Sequence, residues 1–271
     1  MKGEEERMKE GRARRDGGIG ARGAGPWKGA RAVPPYSRTA ALYDAMVGRF
    51  AFDMWRENFE RLCRLFPIDA SLTADVACGT GLAARYLAQR GAEVLACDIE
   101  PRMLRAASAG HEGVRFFRQD MRRLCLPRRV TLLICATDAL NHLLEEEDLS
   151  MTLGAFRDAL VEGGHALFDL NTLWQLREGC DSETWCFEVE GNAMRWTSRW
   201  DEADAIATLW MECEGEDGGR VVEVHRERGY EEGFVVREAL RRGFRGVEVY
   251  DARGLGRPSL RTRRLQFVAW R

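Results

Sequence analysis

The 271-residue chain predicts an α/β fold, a mostly parallel sheet with helices on both faces and an inserted antiparallel sheet. Three observations predict it. Between about residues 72 and 170, continuous apolar runs of strand length alternate with helical patterns, as parallel strands buried on both faces require. A glycine turn, Cys78-Gly79-Thr80-Gly81, joins the first run to the first helix, so backbone N–H groups and a helix N-terminus converge on one point. From about residue 178 the periodicity changes to two, with regularly spaced turn residues, before the α/β pattern resumes near residue 229.

Residues 1–35 are rich in Gly, Arg and Glu and poor in large apolar side chains, which predicts a disordered tail or an extended start. Leu42, Met46, Phe50, Trp55, Phe59, Leu62 and Phe66 then recur at helical spacing, with a break at Gly48 and a stop at Pro67. The α/β units follow. Strands are expected at 72–77, 93–97, 114–118, 130–136 and 165–170, and helices at 82–90, from Pro101, and at 149–161. The insert, 178–228, alternates Trp185/Phe187/Val189, Met194/Trp196/Ser198/Trp200, Leu209/Met211/Cys213 and Val222/Val224. Five of the eight tryptophans lie between Trp174 and Trp210, so the insert is either a packing face or an aromatic-lined lid over a cleft. A helix at 231–242 and strands at 244–250 and 265–270 complete a main domain made of 36–177 and 229–271.

Composition removes several functions. A net charge of −2 argues against binding nucleic acid through bulk charge. No apolar run approaches the roughly 18 residues of a membrane span. Eight scattered cysteines without a C-x-x-C pair fit a reduced, cytoplasmic protein, and no metal set is evident. Lysine occurs only at Lys2, Lys9 and Lys28, which excludes a P-loop, a Schiff base or a lysine general base in the folded part. The sequence leaves monomer and dimer open.

Ligands of open parallel sheets bind outside the carboxyl ends of the strands. Those ends hold Gly79-Thr80-Gly81, Asp98, Asp120, Thr137 to His142 and Asn171-Thr172. An acid after the second strand can accept both hydroxyls of a ribose, and one after the third can take an exocyclic amine. Each aspartate alone could equally be a capping or surface carboxylate.

The segments Asp75-Val76-Ala77-Cys78-Gly79-Thr80-Gly81, Ala96-Cys97-Asp98-Ile99-Glu100-Pro101-Arg102-Met103-Leu104 and Phe117-Arg118-Gln119-Asp120-Met121 resemble, in order, motifs of the class I S-adenosylmethionine-dependent methyltransferases. Leu132 to Cys135 with Asn141-His142-Leu143, and Glu162-Gly163-Gly164-His165, extend the likeness over about residues 70–175. The resemblance implies a Rossmann-like seven-stranded sheet with an antiparallel last strand. It also implies S-adenosyl-L-methionine as cofactor, with S-adenosyl-L-homocysteine as product. Gly79 and Gly81 would approach the methionine part, Asp98 the ribose, and Asp120-Met121 the adenine. Ala77, Cys78, Thr80, Ile99, Met103, Ala136 and Asp138 join the implied cofactor shell, with Tyr43 and Trp55 as candidates from the leading helices and Arg49 for the cofactor carboxylate. The insert resembles, more loosely, that of small-molecule N-methyltransferases, including enzymes acting on amino sugars.

An acceptor nitrogen or oxygen on a small molecule then needs positioning and loss of one proton. His142 is the candidate general base, or else a packing histidine. Tyr36, Asn141 and His225 are candidates for the acceptor, while His111 and His165 read as structural. Three alternatives stay open. One is methylation of RNA or protein, through a basic cleft at Arg253, Arg257, Arg261, Arg263 and Arg264. Another is a non-catalytic cofactor-binding protein. The last is a nicotinamide dehydrogenase, which the glycine turn and Asp98 would pass but the absence of a Tyr-x-x-x-Lys pair opposes.

Overall fold

The computed structural model describes residues 29–108, 113–180, 184–215 and 218–271. The tail before residue 29, His111 and the Arg49 side chain lie outside the described residues. In chain order, β1 is Arg31–Val33. A 3-10 turn, Thr39–Ala41, and a single π turn, Asp44–Gly48, lead into α1, Arg49–Leu65. There follow β2 (Leu72–Val76), α2 (Leu82–Gln89), β3 (Glu93–Asp98), α3 (Pro101–Ser108), β4 (Val114–Arg118), β5 (Val130–Cys135), α4 (Glu146–Ala159), β6 (Leu160–Asn171) and α5 (Leu173–Gly179). The inserted strands are β7 (Thr184–Val189), β8 (Asn192–Asp201), β9 (Ile206–Glu214) and β10 (Arg220–Arg228); α6 (Glu232–Arg241), β11 (Gly246–Asp251) and β12 (Arg264–Trp270) close the chain.

The main sheet has seven strands in the order β11-β12-β6-β5-β2-β3-β4. Its central pairs are parallel, and β12 runs antiparallel to both β6 and β11. This is the sheet that the resemblance implied, including the antiparallel last strand. Alternation along each strand splits the core in two. Ala74, Val76, Leu133 and Cys135 face α4 and α6, whose Leu149, Leu153, Phe156, Val235 and Ala239 cover one side. Val94, Ala96, Leu132 and Ile134 face Trp55, Phe59 and Leu62 of α1 and Ala84 and Leu87 of α2. Each of the large side chains so buried contributes roughly 1.5–3 kcal/mol.

Some element boundaries differ from expectation. Helix α4 starts at Glu146, because Glu146, Glu147 and Asp148 complement the helix dipole in a first turn that has no apolar face to betray it. Strand β6 starts at Leu160, which pairs with Val130; the register then slips, and Leu132 pairs with His165. Gly163, at φ +77°, occupies that slip.

The second sheet has the order β1-β10-β9-β8-β7. Its first strand lies in the segment expected to be a disordered tail or an extended start. Residues 31–33 are extended and pair parallel with 221–223. Average composition hid one anchor: Val33 packs on a small core of Leu42, Met194, Cys213 and Val221, while the edge of β10 takes up the backbone.

Candidate active site

The carboxyl ends of β2, β3 and β5, the 34–55 segment and β10 enclose one cavity of about 570 Å3. Its floor is the turn after β2. There Ala77 takes φ +55° and Gly79 φ +54°, so consecutive turns bring the main chain up to the cavity. A Cβ on Gly79 would meet nothing within 4 Å, so the open side of this glycine faces free space. Gly81, at φ +78°, is different: a Cβ there would lie 3.1 Å from the Ala107 Cβ and 3.2 Å from the Phe116 ring. Gly79 leaves room for a ligand, whereas Gly81 leaves room for α3 and β4 and does not line the cavity.

Asp98, at the end of β3, accepts hydrogen bonds from the Gly79 amide (2.9 Å, Oδ2) and the Glu100 amide (2.9 Å, Oδ1). Burial pushes its pKa up, against the pull of those amides. Ala77, Cys78, Thr80, Ile99, Met103, Met121 and Ala136 also line the cavity. Ile99 is 54% exposed, an apolar side chain at the mouth beside Asp98 that a planar ring could cover. From the leading segment come Tyr43 and Trp55, the latter stacked on Phe59 at 5.2 Å. Burial pushes the Tyr43 phenol up to about 12. The π turn is tied to the glycine loop, since Thr80 Oγ1 donates to Asp44 Oδ1 at 2.6 Å. Gly48 is required there because a Cβ would stand 2.7 Å from that same oxygen.

Besides Gly81, three expected site residues lie outside the cavity lining. Asp120 binds the Arg122 guanidinium through both oxygens (2.6–3.1 Å) and accepts the Arg122 amide (3.0 Å), which holds its pKa below the usual carboxylate range. Its neighbour Met121 reaches the cavity instead. Asp138 is turned inward to Asn171 (2.6 Å) and Arg264 (3.3 Å). Asn141 is fully buried and uses its amide on backbone, donating to the Asn171 and Arg228 carbonyls and accepting the Asn171 N–H. It braces β6 to β10 and has no polar group left for an acceptor. Arg264, which the sequence grouped with a basic surface, is likewise internal, paired with Asp138 and Asp169.

The same cavity is lined by a cluster of Tyr36, His142 and His225. The Tyr36 hydroxyl is 3.1 Å from His142 Nε2, and its ring meets His225 edge-on at 4.7 Å. His142 Nδ1 is 3.1 Å from the Arg226 carbonyl, and His225 Nε2 is 3.1 Å from Glu223 Oε2. Among the described residues the insert contributes Val224, His225 and Arg226 to the cavity and none of its tryptophans. Within the insert, Phe187 packs edge-on against Trp196 at 4.8 Å. The cavity's aromatic wall comes from Tyr36, Tyr43, Phe52 and Trp55.

Glu223 and Asp169 escaped the sequence reading. Asp169, within the apolar run His165 to Leu170, clamps two successive left-handed residues by accepting the Thr137 (2.9 Å) and Asp138 (2.6 Å) amides. A lone acid in a buried strand was the available signal.

Residues 74–164 match the methyltransferase domain family. A Geobacillus sp. (strain WCH70) protein with a provisional methyltransferase name is 30% identical over 149 residues, 52% of this chain and 59% of its own length. The chain thus spans less than two thirds of that relative. A Streptomyces fradiae dTDP-3-amino-3,6-dideoxy-alpha-D-glucopyranose N,N-dimethyltransferase is 29% identical over 127 residues, 46% of this chain and 50% of its own. The fold superposes on an S-adenosylmethionine-dependent methyltransferase of Clostridium acetobutylicum with a TM-score of 0.75 at 22% identity, covering 87% of this chain and 98% of that one. A sugar N-methyltransferase of Streptoalloteichus sp. gives 0.68 at 20% identity, covering 94% and 99%. Residues 74–164 thus carry a methyltransferase domain, in a fold shared with S-adenosylmethionine-dependent methyltransferases.

The cofactor of this class suits the cavity of the methyltransferase domain. Asp75 lines it, is buried, and has an Oδ2 with no hydrogen-bond partner among the described residues. A cationic amine would satisfy that oxygen, the open face of Gly79 admits a chain beside it, and Asp98 can accept from hydroxyls. Burial pushes the Asp75 carboxyl up to about 8, with the Ala84 backbone pulling the other way. The ligand-free fold therefore binds this proton more tightly than the unfolded chain does, and stability falls as pH rises from about 4 to 8. Asp75→Asn is expected to flatten that slope and to stabilise the ligand-free protein at pH 8 by roughly 1–3 kcal/mol. The same variant should bind S-adenosylhomocysteine more weakly. Denaturant titrations across pH check the first statement and calorimetry the second; an unchanged slope would show that Asp75 is already charged and paired.

Proposed function

We propose that this methyltransferase moves a methyl group by in-line displacement to a nitrogen or oxygen of a small molecule. The observation that carries the proposal is the shared cavity, lined both by Asp75, Gly79 and Asp98 and by Tyr36, His142 and His225. Its volume falls in the range of about 300–1,000 Å3 that encloses small ligands, and its walls are largely apolar. The bound cofactor supplies a methyl group on a sulfonium, an activated donor that needs no covalent enzyme intermediate. What the protein contributes is alignment, exclusion of water and removal of one proton. Pro34, Pro35 and the aromatic wall line the cavity beside the cluster, a lining that favours a compact acceptor over a folded macromolecule. Internal pairing of Arg264 breaks up the basic cluster that an RNA substrate would use. The amino-sugar dimethyltransferase and the sugar N-methyltransferase among the similar proteins support an amine- or hydroxyl-bearing small molecule.

The test is calorimetry with S-adenosylhomocysteine, followed by transfer of labelled methyl from S-adenosylmethionine to a panel of small amines and alcohols. Binding and label transfer to at least one panel class are expected. Labelling confined to RNA or protein would overturn the small-molecule reading, and absence of heat would remove the cofactor.

A further inference from the structure

We propose that Tyr36, and not His142 alone, is the group that takes the acceptor's proton, passing its own phenolic proton to His142. The inference rests on the methyltransferase reading above and concerns which atom of the cluster meets the acceptor.

The hydrogen-bond partners decide the direction of the relay. A carbonyl can only accept, so the 3.1 Å contact between His142 Nδ1 and the Arg226 oxygen puts a proton on Nδ1. In the neutral ring Nε2 then carries the lone pair, and the Tyr36 hydroxyl, 3.1 Å away, donates to it. His142 Nε2 is thus occupied by Tyr36 and cannot also accept from a substrate. The lone pairs of the Tyr36 oxygen remain, on a side chain that lines the cavity. Burial, with Tyr43 and Asp138 adding to it, holds this phenol protonated, as a relay that donates and accepts at once requires.

The backbone gives independent support. Tyr36 takes φ +58°, a left-handed conformation that a bulky residue adopts only when its surroundings impose it. The imposing group is Glu223, whose Oε2 accepts the Tyr36 amide at 3.0 Å and whose carboxylate also accepts from the Thr39 amide (2.9 Å) and hydroxyl (2.7 Å). Strain of this kind concentrates at functional sites, and the cavity also holds left-handed Ala77 and Thr137. Glu223 is a positioning residue: it hydrogen-bonds the cavity-lining Tyr36 and His225 and acts by holding them.

In the step, the acceptor lone pair forms the new bond to the methyl carbon while the carbon–sulfur bond breaks and its electron pair returns to sulfur. The acceptor's proton moves to the Tyr36 oxygen, and the original phenolic proton moves to His142 Nε2. The resulting imidazolium keeps Nδ1–H on the Arg226 carbonyl and later returns a proton to solvent.

Two measurements test this. Imidazole 15N spectra of the full chain, with the His142 signals assigned by their loss in His142→Gln, need no ligand. They are expected to show neutral His142 protonated on Nδ1, with its Nε2 resonance displaced in Tyr36→Phe. That variant keeps the ring against His225 and Tyr43 and removes only the hydroxyl. Methyl transfer to the active member of the amine and alcohol panel should fall about 100-fold or more in Tyr36→Phe, with S-adenosylhomocysteine affinity within threefold of wild type. A proton on His142 Nε2 in the wild type, or turnover of Tyr36→Phe within threefold, overturns the proposal. Absence of S-adenosylhomocysteine binding by the wild type would instead overturn the methyltransferase reading, and the tautomer result would stand apart from it.

Discussion

Asp98→Ala is expected to weaken S-adenosylhomocysteine binding by roughly 2 kcal/mol or more, about 30-fold in Kd. Two losses add. The carboxylate is the acceptor available to a pair of ligand hydroxyls, and charge-assisted bonds of that kind are worth roughly 1.5–3 kcal/mol each. It also fixes the floor of the site, because its Oδ2 accepts the amide of left-handed Gly79 at 2.9 Å. Asp98→Asn separates the two, since it keeps an acceptor for Gly79 and forfeits the charge, so an intermediate affinity is expected. Asp120→Ala is the informative control. Its carboxylate is committed to Arg122, and affinity is expected to stay within about threefold of wild type, inside roughly 0.7 kcal/mol. Calorimetry on the three variants decides. Equal loss in Asp98→Ala and Asp120→Ala would mean that the ligand draws Asp120 away from Arg122.

That contrast marks what was legible in the chain. The succession of strands and helices, the floor and Asp98 follow from local pattern, because apolar periodicity and a glycine turn are carried by neighbouring residues. The side chain of Asp120 turned the other way for a reason of local sequence too: Arg122 stands two positions on, within reach of the same carboxylate. Asp138 and Asn141 are harder. Their partners, Arg264, Asn171 and the Arg228 carbonyl, lie between 30 and 126 residues away in sequence, and no spacing rule links them. The two histidines of the site were visible as residue types. Their roles were not, because they depend on a carbonyl and a carboxylate brought in by β10. Least legible was the strap. Residues 31–39 gain their order from distant β10, which pairs with residues 31–33 and brings Glu223 to residues 36–39, and composition averaged over the segment cannot register that.

Glu223→Ala is therefore expected to be the most disruptive single change outside the hydrophobic core. The residue is wholly buried, and its carboxylate accepts from the amides of Tyr36, Arg38 and Thr39, the hydroxyls of Ser37 and Thr39, and His225 Nε2. Burial alone would raise its pKa, but the His225, Thr39 and Arg38 hydrogen bonds outweigh it and hold the group below the usual glutamate range. A depressed acid stabilises the fold above its unfolded pKa, near 4.3, and that contribution is lost as pH falls through the lower folded value. The latch is thus fully engaged at neutral pH and opens only in acid. Removing the carboxylate leaves several buried donors without an acceptor, at about 1–3 kcal/mol for each that water cannot reach. Two routes relieve that cost. If the strap stays in place, denaturant titration should show a loss of roughly 3–5 kcal/mol. If it lets go, the global loss is smaller, and limited proteolysis should cleave between residues 31 and 39 while the remaining domain persists. Glu223→Gln retains the shape and one strong acceptor and should fall between wild type and alanine on either measure. An alanine variant within 1 kcal/mol of wild type and uncut in the strap would show that β1 pairing and Val33 packing suffice to hold the segment.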